Sequence, residues 1–146
     1  MGVYRIYTDG ACSQNKTWKG GWGVIVLNDK NEIVRKMNGS EDNTTNSRME
    51  IQAVLEGIKS IEEPSTITIV SDSQYVCNTI NTWLDGWLKN GSYSSKANTD
   101  QWDEFLELRK KHNITAEHIR GHRGNYYNEI ADKLAVAGVK GDIYGN

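Results

Sequence analysis

VYRIYTDGA, at residues 3–11, is the stretch of this sequence that decides its fold. Its polar and apolar residues alternate, and aromatic and β-branched residues dominate it, which is the pattern of a β-strand. Two more strand-like runs follow at residues 20–29 and 32–40, and the short polar segment 29–31 that joins them indicates a hairpin or meander. The chain therefore opens with antiparallel strands.

Helix and strand patterns alternate after this meander. Apolar residues recur at helical spacing over residues 46–61, and Pro64 ends that helix. The apolar run 66–73 (TITIVSDS) predicts a central strand that is buried on both faces, and ITAEHIRG at 114–121 predicts a fifth strand. We therefore predict one α/β domain over residues 1–146, with a mixed five-stranded sheet of three antiparallel meander strands plus two parallel strands, flanked by helices.

The composition is that of an ordinary globular protein. Hydrophobic residues make up 37% and charged residues 25% of the chain, and no apolar run approaches the roughly 20 residues of a membrane span. The first residues lack the features of a signal peptide, so we expect a cytoplasmic protein. Cys12 and Cys77 stand in no metal-ligand spacing and are expected to be free thiols. The net charge of −2 gives no global sign of nucleic-acid binding.

Four acidic residues lie in separate short motifs, at positions where an unpaired charge is costly. Asp9 in TDGA and Asp72 in SDSQ fall at the carboxyl ends of predicted strands. Glu50 lies on the apolar stripe of the first helix, and Asp132 lies in the last predicted helix. The local pattern contains no matching set of buried basic residues, and clustered carboxylates select hard cations such as Mg²⁺ or Mn²⁺. The sequence therefore predicts a cation site if the fold brings these acids together.

Each acid also has an ordinary structural explanation. Asp9 precedes Gly10, and Asp-Gly is a common turn pair. Glu50 matches the capping box Ser-Arg-Met-Glu, and Asp72 could cap the helix that follows it. Asp132 could be a solvated surface acid. From the residues alone, both sets of explanations stay open.

Histidine and tryptophan side chains allow two interpretations as well. His122 lies in the glycine-bearing loop 121–128, where it could be an exposed residue or a proton carrier, because a histidine pKa lies near neutrality. We predict that His118 packs within its strand. Trp83 and Trp87, four residues apart on one helical face, could be core residues or a platform for sugars or bases.

In their order along the chain, these motifs resemble type 1 ribonuclease H. TDGA, the strand meander, TTNSRMEIQA, VSDSQYV and GHRGNYYNEIADKLA follow the order and approximate spacing of that family over nearly the whole chain. The resemblance implies a ribonuclease H-like fold and an endoribonuclease that hydrolyses the RNA strand of RNA–DNA hybrids. It further implies two-metal-ion catalysis with two Mg²⁺ or Mn²⁺ ions per site, leaving 5′-phosphate and 3′-hydroxyl ends. We expect the enzyme to be a monomer.

The same resemblance assigns roles to individual residues. The residues with catalytic roles would be the four metal-binding carboxylates and a loop histidine that assists proton movement or product release: Asp9, Glu50, Asp72, Asp132 and His122. The residues that meet the RNA strand would be Cys12 through its main chain, Asn15, Asn46 and Gln74. The residues that meet the DNA strand would be Trp83 and Trp87 in its groove, with Thr45 and Asn98 at one phosphate.

Two departures from the family pattern concern substrate affinity. Asn43 stands where the family often has an arginine, which removes one phosphate-binding charge. The segment 85–98, which could be a surface loop or a helix extension, matches the basic protrusion of the family but combines Lys89 and Lys96 with Asp85. Both departures predict weaker and less salt-dependent binding to the hybrid.

Two other functions remain as alternatives. A related nuclease or resolvase acting on DNA often places Asp-x-Glu in its first strand, whereas this chain has Asp9-Gly10-Ala11 there. A catalytically silent hybrid-binding domain would be expected to have lost at least one acid, and all four are present. The sequence therefore favours an active ribonuclease H.

Overall fold

A computed structural model of the protein describes residues 2–13, 19–120 and 125–144. The strands within these ranges are β1 (Gly2–Cys12), β2 (Gly20–Leu27), β3 (Ile33–Glu41), β4 (Ser65–Ser71) and β5 (Asn113–His118). The α-helices are α1 (Asn46–Lys59), α2 (Gln74–Asn78), α3 (Leu84–Asn90), α4 (Thr99–Arg109) and α5 (Tyr126–Val139). Across the part of the chain so described, none of the helices has the length and apolar character that crossing a bilayer requires.

The five strands form one mixed sheet in the order β3-β2-β1-β4-β5. The meander strands pair antiparallel, whereas β4 pairs parallel with both β1 and β5. The predicted fold class is therefore confirmed. The fifth strand is shorter than predicted, because its ladder with β4 ends at His118. His118 itself is exposed, so the prediction that it packs was wrong.

Helices cover both faces of this sheet. On one face, the apolar side of α1 packs on the even-numbered residues of β1 and β2, such as Ile6 and Val24. On the other face, α5 packs on odd-numbered residues such as Tyr7 and Ile25. The alternation seen in β1 thus reflects two separate cores, one for each helix layer.

Both alternatives predicted for residues 85–98, a helix extension and a loop, hold for part of that segment. Helix α3 continues to Asn90, and a short 3₁₀ turn at Tyr93–Ser95 within irregular chain follows it. A π-helical turn at Thr79–Trp83 joins α2 to α3, and the helix ends at Gly91, whose φ of 80° suits glycine. One extra residue in a helical turn rotates the side chains that follow it. The π-turn thereby sets the direction of Trp83 and Trp87 relative to α2.

Candidate active site

Asp9 and Asp72 are brought together by the register of two parallel strands. Tyr7 of β1 is paired with Val70 of β4. Asp9 and Asp72 each follow that pair by two residues, so they lie level with one another on the same face of the sheet. The carboxyl ends of β1 and β4 therefore present two acids side by side, as expected for a site at the end of neighbouring parallel strands.

Glu50 reaches the same place from α1. A Cβ atom at Gly10 would lie 2.4 Å from the backbone nitrogen of Glu50, so only glycine lets the helix approach β1 this closely. The N-cap of α1 is Thr45, whose hydroxyl accepts the Arg48 N–H at 3.2 Å. Glu50 therefore lies beyond the first turn, and the capping-box explanation for it was wrong.

Asp72 is not a helix cap either. The N-cap of α2 is Ser73, and its hydroxyl accepts the N–H of Val76 at 3.2 Å. Ser71 assists, because its hydroxyl accepts the N–H of Ser73 at 3.0 Å. The two serine hydroxyls accept the backbone N–H groups at the start of the helix. The half-buried carboxylate of Asp72 is therefore not needed as a cap and can bind a ligand.

Asp9, Glu50 and Asp72 form a compact group, which we call the acid cluster. One carboxylate oxygen from each lies within 4.8 Å of the others. Asp9 is 4% exposed and Glu50 is 7% exposed. Within residues 2–13, 19–120 and 125–144, none of the three forms a salt bridge with a lysine or arginine. The cluster is thus a concentration of acidic groups without a basic partner in the described chain.

Asp132 joins the acid cluster through Asp9. Helix α5 lies almost against β2: a Cβ at Gly23 would be 2.3 Å from the carbonyl oxygen of Ala131. Gly23 is the cross-strand partner of Asp9, so this contact brings the next residue, Asp132, beside Asp9. A hydrogen bond between the carboxyl groups of Asp132 and Asp9 contributes to raising the pKa of Asp9. Asp132 lies outside the 4.8 Å group and is half-buried.

Burial and mutual repulsion disfavour ionisation of the cluster. Desolvation, followed by the charges of Glu50 and Asp72, raises the pKa of Asp9 to about 10. Desolvation and the charge of Asp72 raise the pKa of Glu50 to about 7, although hydrogen bonds from Asp9 and the Gly10 backbone oppose this. The Oε1 atom of Glu50 is buried and has no hydrogen-bond partner in the described part of the chain. These carboxylates therefore fit a hard divalent cation, which would neutralise them and occupy that oxygen.

Of the predicted site residues, the catalytic His122 and the substrate-binding Asn15 fall outside the described residues. The other predicted substrate-binding residues lie at the end of β1, at the starts of α1, α2 and α4, and in α3 with the turn before it. Cys12, at the end of β1, is half-buried, and its thiol lies 3.5 Å from the carbonyl oxygen of Thr44. Asn46 and Gln74 are both exposed, and each is the first residue of a helix that carries or follows an acid of the cluster, α1 or α2.

The predicted phosphate residues Thr45 and Asn98 are connected through a residue that the sequence did not single out, Arg48. Its guanidinium donates to Asn98 Oδ1 at 3.3 Å and forms a two-pronged salt bridge with Asp100, at 3.0 and 2.7 Å. Asn98 Nδ2 in turn donates to the Tyr75 hydroxyl at 3.3 Å. The carboxamide of Asn98, at a backbone φ of 64°, is thus held at both ends. No local motif indicates this, because its members come from three helices.

Trp83 and Trp87 form an aromatic surface on α3 and the turn before it. Their ring centroids lie 6.2 Å apart, and Trp83 is 42% exposed. The ammonium of Lys96 lies 5.0 Å from the centroid of Trp87. The core explanation was therefore wrong for Trp83, whereas the half-buried ring of Trp87 packs against the core beside α1 and also carries the Lys96 ammonium on one side.

Asn128 is a second residue that sequence reasoning did not place in the site. It is 0% exposed, and neither its Oδ1 nor its Nδ2 has a hydrogen-bond partner in the described chain. It lies one helical turn before Asp132. That i, i+4 spacing was visible in the sequence, but the burial of its side chain was not.

Comparisons with known proteins agree with this architecture. The family model for RNase H matches residues 2–140. The ribonuclease H of Caldanaerobacter subterraneus subsp. tengcongensis is 39% identical over 149 residues, which cover 99% of this chain and 95% of that protein. Relatives of this identity confirm the prediction of a nuclease of the hydrolase class.

Two solved structures are also similar. LC9-RNase H1, a type 1 RNase H with the type 2 active-site motif, superposes with a TM-score of 0.86 at 28% identity, over 97% of this chain and 74% of that one. LC11-RNase H1 in complex with an RNA/DNA hybrid shares the fold, with a TM-score of 0.70 at 17% identity, over 94% of this chain and 97% of that one. The chain therefore belongs to the RNase H family, within its type 1 branch.

Proposed function

We propose that this protein is an endoribonuclease that cuts the RNA strand of RNA–DNA hybrids, using divalent cations held by Asp9, Glu50, Asp72 and Asp132. The observation that carries the proposal is the acid cluster. Three carboxylates from β1, α1 and β4 converge within 4.8 Å, although burial and repulsion oppose their ionisation. A divalent cation bound there would offset the repulsion and favour the ionised carboxylates.

Each acid has a distinct task in this proposal. Asp9 is central, because it hydrogen-bonds to both Glu50 and Asp132. Glu50 offers the buried, unpartnered Oε1 atom, and Asp72 supplies the more accessible carboxylate at the mouth of the site. When bound, two Mg²⁺ or Mn²⁺ ions would activate a water and stabilise the leaving 3′-oxygen of the scissile phosphodiester. The protein positions the phosphate and limits competing water through the burial of Asp9 and Glu50.

His122 would be the proton carrier of the reaction. A histidine side chain can take or give a proton near neutral pH, so it could act at the scissile phosphate or assist product release. This role rests on the sequence, since His122 lies outside the described residues. Cleavage on the 3′-oxygen side of the phosphorus would leave 5′-phosphate and 3′-hydroxyl ends.

Substrate selection in this proposal comes from neutral polar groups and aromatic rings. Asn15, Asn46, Gln74 and the main chain at Cys12 would read the RNA strand, because amides and carbonyls suit the 2′-hydroxyl that distinguishes RNA from DNA. The hybrid bound by LC11-RNase H1, which shares the fold, supports this substrate class.

The DNA strand would be held on the other side of the cluster. The Thr45 hydroxyl accepts one backbone N–H, which leaves its own proton for a phosphate oxygen. Asn98 Nδ2 has a second proton beyond the one given to Tyr75. Trp83 and Trp87, with Lys96 over the ring of Trp87, would line the DNA groove.

The cellular setting is proposed on chemical grounds. Cys77 is a buried thiol outside any disulfide, which supports a reducing compartment, and we propose the cytoplasm. We also propose that one copy of the chain suffices for activity, because all four acids come from the same chain.

A direct assay tests the proposed function. End-labelled RNA is offered as RNA–DNA, RNA–RNA and single-stranded forms, beside duplex DNA, each with Mg²⁺, Mn²⁺ or chelator. We expect cation-dependent cleavage of the hybrid alone, with 5′-phosphate and 3′-hydroxyl ends. Equal cleavage of duplex DNA would favour the resolvase alternative. Tight hybrid binding without cleavage in either metal would favour the silent binding domain.

A further inference from the structure

Two buried asparagines of this fold differ in how their side chains are satisfied. Asn38 donates to the carbonyl oxygens of Leu134 and Asp142, each at 2.9 Å, and accepts the N–H of Tyr144. Asn128 is more deeply buried, yet neither its donor nor its acceptor has a partner in residues 2–13, 19–120 and 125–144. A carboxamide in the interior without partners carries a desolvation cost that folding alone does not repay.

Helix capping does not account for Asn128. The cap of α5 is Asn125, whose side-chain oxygen accepts the backbone N–H of Asn128 at 3.0 Å. The first turn of the helix is thus already satisfied by another residue. The buried side chain of Asn128 has no role in the secondary structure of the described chain.

The position of Asn128 on α5 directs its side chain towards the acid cluster. Asn128 and Asp132 are four residues apart, so at 3.6 residues per turn they lie about 40° from each other around the helix. The carbonyl oxygen of Ala131 lies against Gly23, the cross-strand partner of Asp9, and Asp132 follows Ala131 beside Asp9. The flank that carries Asn128 and Asp132 therefore faces β1.

The side chain of Asp132 also leans towards Asn128. Cα–Cβ bonds in a helix tilt towards its N-terminus, so the carboxylate of Asp132 lies over the turn that carries Asn128. No direct hydrogen bond joins the two side chains among the described contacts. The buried carboxamide of Asn128 therefore shares a flank of α5 with Asp132, next to the acid cluster.

We propose that Asn128 is a positioning residue of the metal site, whose carboxamide completes its hydrogen bonds only with the hydrated cation held by the acids. The proposal rests on the proposed function, because it assumes that the cluster binds a divalent cation. Mg²⁺ keeps several of its waters when carboxylates bind it, and these waters need acceptors and donors around them. A neutral amide supplies both without adding a fifth negative charge.

The decisive variant is Asn128→Leu, which keeps a similar size and removes both hydrogen-bonding groups. Its matched control is Asn38→Leu, at the asparagine whose bonds are satisfied within the protein. For both variants and the parent, thermal unfolding is recorded in chelator, and MgCl₂ or MnCl₂ is titrated calorimetrically without nucleic acid. These readouts do not depend on catalysis.

We expect the two variants to behave in opposite ways. In chelator, Asn128→Leu should unfold at the same temperature as the parent or higher, since it removes an unsatisfied polar group. Its affinity for Mg²⁺ should fall by about tenfold or more, which is the usual effect of losing an outer-shell partner. Asn38→Leu should lower the unfolding temperature and leave the affinity for Mg²⁺ unchanged.

The reverse result would overturn the proposal. If Asn128→Leu unfolds earlier in chelator, or fails to fold, while the affinity of any folded fraction for Mg²⁺ is unchanged, then Asn128 holds the apo structure together, for example through a buried water. The parent gives an independent check by NMR: the side-chain ¹⁵N signal of Asn128 should shift as Mg²⁺ is added. A parent that binds neither Mg²⁺ nor Mn²⁺ would instead overturn the proposed function itself.

Discussion

The two ends of strand β4 both carry buried ionisable groups, but only one end provides partners for them. At its beginning, His112 accepts the N–H of Ser65 at 3.1 Å through Nδ1, and its ring also hydrogen-bonds the backbone of Ile61. At its other end, Asp72 meets Asp9 and Glu50, and like charges face one another. We call these the closed end and the acid end of β4.

The difference separates groups that hold the fold from groups that serve the reaction. At the closed end, burial lowers the pKa of His112, and the neutral ring fits its donor and acceptor. At the acid end, burial and repulsion raise the pKa of Asp9 and Glu50, and Glu50 Oε1 stays unpaired within the described chain. An ionisable group with a shifted pKa and satisfied hydrogen bonds indicates a structural residue. An ionisable group with a shifted pKa and an unpaired buried atom indicates a residue that binds a ligand.

The largest expected effect is that of Asp9→Asn at the acid end. The substitution removes a charge that coordinates cations, so turnover should fall by at least about 10³-fold, the scale of losing one essential electrostatic group. Because it also relieves desolvation and repulsion, the variant should unfold at a higher temperature than the parent in chelator. Binding to the hybrid should remain measurable in a filter or polarisation assay.

A matched substitution separates the loss of Asp9 from the loss of any one acidic side chain. Asp100→Asn removes an exposed acid on α4 that pairs with Arg48 outside the cluster, so it should leave Mg²⁺ binding unchanged. Normal turnover in Asp9→Asn would refute the metal assignment. If Asp9→Asn unfolds at a lower temperature than the parent in chelator, then desolvation and repulsion at Asp9 do not destabilise the cation-free protein.

His122→Ala should slow the reaction without abolishing it. General acid–base groups contribute roughly 10²–10⁴-fold, and water can replace a loop histidine in part, so we expect a loss near the lower limit. The loss should appear in kcat, with KM and Mg²⁺ affinity unchanged. Complete inactivity of a folded His122→Ala variant would show that the loop takes part in positioning the substrate or the acids.

The acid end was largely predictable, because its residues sit in short motifs whose strand ends could be read from periodicity. The register that makes Asp9 and Asp72 neighbours followed from two parallel strands in a mixed sheet. The start of α1 was less clear, because Thr45 and Ser47 are equally good caps on local grounds. The observed cap at Thr45 excludes the capping box for Glu50, and the burial of Glu50 shows that it faces inward.

The closed end and the supporting residues were not predictable, because they depend on contacts between distant segments. His112 follows a run of charged residues and looks like an exposed helix end, yet the backbone of Ser65 covers it. Arg48 and Asn98 form a hydrogen bond although they are 50 positions apart in the sequence. Such pairs have no period and no motif, so only the packed fold reveals them.

At the closed end, His112→Leu should reduce stability and leave the chemistry intact. The variant leaves the N–H of Ser65 buried without an acceptor, which costs about 1–3 kcal/mol in the free energy of unfolding. Activity per folded molecule should match the parent, since the acid cluster lies at the opposite end of β4. Denaturant unfolding measures the free energy of unfolding, and a hybrid cleavage assay measures the activity per folded molecule. A loss of kcat without a loss of stability would show that the closed end also serves the reaction.

Titration of His112 should make the protein less stable as the pH falls below 6.5. Burial, together with the charge of Lys111, lowers its pKa from the model-peptide value of 6.5. The unfolded chain therefore takes up this proton first as the pH falls below 6.5, and stability decreases from there to the lower folded pKa. His112→Leu should remove this component of the acid destabilisation, so its unfolding curves at pH 7 and pH 5 should differ less than those of the parent.

The smallest effect is expected at the tryptophan surface, which belongs to neither end. Trp83 is 42% exposed, so Trp83→Ala should leave the unfolding temperature unchanged. If its ring stacks on the substrate, its loss should cost about 1–3 kcal/mol of binding, which appears as a higher KM with kcat preserved. Trp102→Ala is the matched control, because that ring is 0% exposed and packs on Phe105 at 5.6 Å. The Trp102→Ala control should destabilise the fold strongly. If Trp83→Ala also lowers the unfolding temperature strongly and leaves KM unchanged, then Trp83 is a core residue and the DNA groove lies elsewhere.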